Sequence, residues 1–156
     1  MTDWIGFEHG LASALRSVTE RVFLIIASGA DPRRYVQFAG GQQRLDAEAP
    51  GTEVVAIANE ATLSAAGWTA ASFDVPNWTS SLELPALTAE YQLLAGRCVT
   101  ALRDAYGIPS PDYLRYRAWR EPEQMPAGVT WSPERIARLD RGESSLKLPR
   151  LGLATN

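Results

Sequence analysis

Histidine and cysteine occur once each in the 156 residues, as His9 and Cys98. That scarcity excludes most metal centres and nucleophilic triads, which need several His, Cys or carboxylate groups converging on one point. A lone cysteine forms no internal disulfide, which agrees with a reducing compartment. No apolar run approaches the roughly 18 residues of a membrane-spanning helix. The opening MTDWIGFEHG has no basic region followed by an apolar run and a cleavage site, so no secretory signal is expected and the location expected is cytoplasmic. Positive charge is also in short supply. A net charge of −3 without a concentrated basic patch excludes a nucleic-acid partner. Gly40-Gly41 lacks the third glycine or Gly-Lys-Ser/Thr that a phosphate loop needs, so no cofactor is expected.

What is present is an ordinary globular balance, 46% apolar and 21% charged, with five tryptophans and five tyrosines as anchors. A chain of this length supports one core that buries roughly two-thirds of the unfolded surface. Trp4, Phe7, Leu11, Leu15 and Val18 recur at helical spacing behind Thr2 or Asp3 as caps. Residues 21–27 and 33–39 read as a hairpin around Ser28-Gly29-Ala30-Asp31-Pro32, and residues 44–48 alternate as a third strand. Residues 52–66 carry a helical stripe that Thr52 opens and Gly67 closes. Residues 68–73 and 77–84 read as two further strands. The strongest helical pattern runs from Leu87 to Ala105, and Pro109 and Pro111 stop it before a short strand over 113–119. The fold class expected is α+β, a meandering antiparallel sheet packed by helices on one face. Residues 1–119 form the domain. Residues 120–156 form a C-terminal arm with one short helix at about 133–141, its leucines disordered or docked on another surface.

The motifs Arg34-Tyr35-Val36-Gln37-Phe38, Ala66-Gly67-Trp68, Pro76-Asn77-Trp78, Val99 to Ile108 and Pro111-Asp112-Tyr113-Leu114, in that order, resemble the TY-Chap domains. These are actinobacterial members of the superfamily that unites YbjN-like proteins with type III secretion chaperones. The resemblance covers about Trp4 to Trp119. It implies a helix, an antiparallel sheet and packing helices, and a role in binding peptide segments of client proteins, often as a homodimer. The segment between the third strand and the second helix is short for such a domain, and residues 121–156 lie outside it.

Chaperones of this shape hold extended clients against apolar grooves or sheet edges, where backbone hydrogen bonds give affinity and side-chain pockets give selectivity. Gln37, Trp68, Phe73, Trp78 and Trp119, on expected strands or strand ends, are the candidate peptide-binding residues. Large aromatics also build cores, and Trp68 and Trp78 fit that role as well. His9 faces solvent, opposite the apolar stripe of its helix, and Cys98 fits a small core position. Arg33, Arg34, Arg115, Arg117 and Arg120 read as solvated edge charges or as a contact for an acidic peptide. Asp31, Asp46, Glu48 and Glu53 have no spacing that requires convergence, so a carboxylate enzyme is the minor alternative to a non-catalytic binding module. A third reading is a self-associating adaptor whose arm docks on a partner.

Overall fold

The computed structural model describes residues 3–156. The chain opens with α1 (Trp4–Leu15), capped by Asp3, whose carboxylate accepts from the Gly6 amide at 2.7 Å. Thr2, the other expected cap, lies outside the described residues. Three antiparallel strands follow, β1 (Val22–Ser28), β2 (Tyr35–Gly40) and β3 (Arg44–Ala49). The third strand then pairs with β4 (Trp78–Glu83), and β5 (Leu114–Arg120) lies against the free side of β1. A two-residue strand, β6 (Ala154–Thr155), runs parallel to β5 and completes the order β4-β3-β2-β1-β5-β6.

Period-two alternation gives this sheet two unlike faces. Val22, Leu24, Ile26, Val36, Phe38, Leu45, Ala47, Trp78, Leu82, Leu114, Tyr116 and Ala118 all point to one side and are buried. That side receives α1 together with α3 (Thr88–Val99), which a π-helical turn over Thr100–Ala105 prolongs. Phe7, Leu11, Leu15, Leu94, Cys98 and Leu102 are their contribution to the core. The shared core includes Leu63 of α2 (Glu60–Ala66), whose C-cap Gly67 adopts the left-handed φ of 106° that a side chain disfavours.

Three elements differ from the sequence reading. α2 starts at Glu60, not Thr52, because the Asn59 amide is drawn to the Ala105 carbonyl at 3.0 Å and the Asn59 side chain caps Thr62. Thr52 spends its hydroxyl on the Glu60 carboxylate instead. The strand expected at 68–73 reduces to a bridge between Thr69 and Thr79, since Ser72 turns the chain through both its amide and its hydroxyl to Val75. The arm's helix, α4 (Pro133–Ala137), is shorter than 133–141 and buries no residue.

The arm's last part lies along its own domain. Arg120 and Glu143 exchange backbone hydrogen bonds, Leu146 donates to the Ala118 carbonyl at 2.8 Å, and the Leu148 amide donates to the Tyr116 hydroxyl. Leu148 and Leu151 are buried, and a side chain on Gly10 of α1 would meet the Arg150 carbonyl oxygen at 2.2 Å. The β5 edge is therefore closed in cis. No described helix is long and apolar enough to cross a membrane.

Candidate peptide-binding face

The second face of the sheet carries the side chains of opposite parity. Cross-strand register arranges them in rows: Trp119, Phe23, Ala39, Asp46 and Ser81 form one, and Arg117, Ile25, Gln37, Glu48 and Thr79 the next. Phe23, Ile25 and Trp119 sit here half-buried, because β1 is apolar on both sides while helices cover only one. Phe23 and Trp119 stack with centroids 5.4 Å apart and planes 16° apart, and the Arg117 guanidinium lies 4.5 Å above the Trp119 ring. The Trp119 indole N–H is already committed to the Glu121 carboxylate at 2.9 Å, so the ring offers its apolar body.

Beside this pair is a depression of about 180 Å³ lined by Phe23, Ile25, Gln37, Ala39, Glu48 and Trp119 among others. Its polar wall is built. Gln37 donates to one Glu48 oxygen at 3.2 Å, and Asn77 donates to the other at 3.4 Å and to the Tyr35 hydroxyl at 3.3 Å. Chemically the site is an apolar trough one to two strands wide, with arginines on the β5 side and carboxylates on the β3 side.

Of the five sequence candidates, the structure places Gln37 and Trp119 on this face and the other three elsewhere. Trp68 and Trp78 are in the core on the helical side, with indole N–H groups donating to the Arg97 carbonyl at 3.1 Å and the Glu60 carboxylate at 2.9 Å. Phe73 is wholly exposed in the segment between the Thr69 bridge and β4. Strand parity decides this: Trp78 shares the inward set with Ser80 and Leu82, and Trp119 falls between inward Ala118 and the strand's end. Sequence reasoning missed Phe23, Ile25 and Asn77. The run VFLIIAS is apolar at nearly every position, so no alternation marks its outer face; only the pairing with Gln37 and Arg117 reveals it.

The other chemistry-bearing side chains stay apart. His9 is exposed on α1, and Cys98 is fully buried, where desolvation pushes its thiol far above the ordinary value and keeps it protonated. Asp31 is held by Arg33 and Arg34, and Asp46 by Arg44 and Ser81. Among the described residues no group of three His, Cys, Asp or Glu side chains could hold a metal ion.

A half-covered sheet that offers stacked rings beside a hydrogen-bonded polar wall is an apolar surface with a few fixed polar groups, the chemistry that polypeptide-binding proteins use. The chain belongs to the TY-Chap3 family, "T3SS (YopN, CesT) and YbjN peptide-binding chaperone 3", whose model matches residues 1–120. This agrees with the resemblance carried by its sequence motifs. No curated protein and no solved structure is significantly similar to it.

Proposed function

We propose that this protein is a non-catalytic, chaperone-like module that holds an apolar segment of a client polypeptide on the open face of its sheet. The single observation that carries the reading is the half-buried Phe23–Trp119 stack beside Ile25, three large apolar side chains without a covering layer. Gln37 lines the depression and contributes a polar anchor. Trp68 and Trp78 support the sheet from behind, and Phe73 lies outside the site. The binding domain is residues 1–119, with residues 120–156 as an arm that completes its framework. Work in the cytoplasm fits its single, buried cysteine. Exposed Ile5, Leu87 and Leu93 on the helical side give a homodimer its apolar contacts.

The test is site-specific photo-cross-linking in the full-length chain. A benzoylphenylalanine at Ile25 is expected to capture a permanently unfolded, carboxymethylated polypeptide, and the same group at Leu93 on α3 is expected not to. Equal capture at both sites, or capture at Leu93 alone, would overturn the reading.

A further inference from the structure

The nature of the bound segment follows from what the open face lacks, given the reading above that this face binds a client. β1, β2, β3 and β5 each have neighbours on both sides, β5 through the arm, so their backbone N–H and C=O groups are spent within the sheet. An extended peptide laid on such a face would bury its own backbone groups without partners, which costs more than its side chains recover. An α-helix satisfies its own backbone internally. The width suits one helix: β5 to β3 spans ~14 Å at the usual strand spacing, and a helix with side chains is ~10–12 Å across.

Charge then selects the helix. Arg117 on β5 makes no salt bridge among the described residues and rests on Trp119, and beside it Arg115 donates to the Asp112 and Leu114 carbonyls. Across the apolar trough, Glu48 accepts only from Gln37 and Asn77, and Glu83 on β4 has no cationic partner either. Asp46, between them, is neutralised by Arg44 at 2.7 Å. The face is basic on one rim, apolar in the middle and acidic on the other.

We propose that the client segment is an amphipathic helix with two signs of charge. It lies along β1 with its apolar stripe on Phe23, Ile25 and Trp119, an acidic flank over Arg115 and Arg117, and a basic flank over Glu48 and Glu83. Reversing such a helix end for end exchanges its flanks, so the charges fix its direction and not only its affinity.

The test uses four synthetic 18-residue peptides with the same apolar stripe, titrated into the full chain by fluorescence anisotropy at low salt. One has an acidic and a basic flank, one has two acidic flanks, one has two basic flanks, and one repeats the two-sign design with a central proline. Exposed ion pairs contribute a few-fold each, so two or three of them favour the two-sign helix by about tenfold over either single-sign peptide. The proline peptide is expected to lose at least about tenfold. Arg117 is exposed, and Arg117→Glu cancels the charge of neighbouring Arg115, so the β5 rim becomes neutral and the advantage of the two-sign peptide over the two-basic peptide is expected to disappear. Equal affinity of all three unbroken peptides, or full affinity of the proline peptide, overturns the helical, two-sign client while leaving peptide binding intact. No binding of any peptide overturns this inference and the proposed function together.

Discussion

Tryptophan serves two opposite purposes in this chain, and its immediate surroundings separate them. Trp68 and Trp78 are sealed against the helical layer with their indole N–H groups bonded to Arg97 and Glu60. Trp119 has the same ring but is only half-buried on the open face, against Phe23 and the Arg117 guanidinium. Truncating a buried tryptophan removes its apolar burial and leaves a cavity, so Trp68→Ala or Trp78→Ala is expected to cost about 3–5 kcal/mol in urea unfolding. Trp119→Ala forfeits chiefly the stack with Phe23 and is expected to cost about 0.5–1.5 kcal/mol beyond its lost area, while peptide affinity falls at least about tenfold. A Trp119→Ala protein as unstable as Trp68→Ala would contradict the separation. Phe73, wholly exposed, is expected to accept serine within about 0.5 kcal/mol.

Among the elements, the arm departs furthest from what a short, proline-interrupted tail leads one to expect. It buries Leu148 and Leu151, and alanine at either is expected to lose about 2–4 kcal/mol, read from the denaturant midpoint. Its root is held by charge. Arg120 and Arg21 donate to Asp140 at 2.8 and 3.0 Å, and Glu123 accepts from Arg135 and from the Asp140 amide. The Arg120 bond, then the Gly142 amide, keeps Asp140 well below the usual carboxylate range; Arg135, then the Asp140 amide, lowers Glu123. Both folded-state values lie below the unfolded ones. Their stabilisation is therefore complete above the ordinary carboxylate value and lost as pH falls towards the lowered values. The protection factors of the Asp140, Gly142 and Glu143 amides, exchange relative to an unstructured chain at the same pH, are expected to hold from neutral pH to about pH 4 and to fall below it. Asp140→Asn is expected to lower that protection already at pH 7, and protection that ignores both changes would contradict the charge-held root.

Local signals made most elements legible in the sequence. Helical spacing marked α1 and α3, turn chemistry marked the β1–β2 hairpin, and Gly67 marked the end of α2. The start of α2 and the loss of the 68–73 strand were not legible, because Ala105 and Val75, partners in space or across a turn, decide them. The docking of the arm was equally hidden: four leucines spread over the last dozen residues carry no period, and only the β5 edge and Gly10 give them a place. The candidate site was half legible for a related reason. Gln37 and Trp119 lie on strands with visible alternation, whereas Phe23 and Ile25 lie on a strand apolar on both faces.

At the scale of the whole molecule, one fact organises the rest: helices cover one side of the sheet, and the arm closes the β5 edge. Partners that need a free backbone edge are left with β4, where Thr69 pairs with Thr79, and with the two-residue β6. The broad, charge-sorted face remains. Its isoleucine is well placed for observation, because Ile5, Ile57 and Ile136 are exposed elsewhere and serve as internal controls. Titrating the full chain, labelled at isoleucine δ1-methyl and tryptophan indole groups, with the two-sign amphipathic peptide gives the most direct answer by NMR. The Ile25 methyl and the Trp119 indole signals are expected to shift together and saturably while Ile5, Ile57 and Ile136 stay still. Saturable shifts at those three without movement at Ile25 and Trp119 would contradict a client surface on the open face of the sheet.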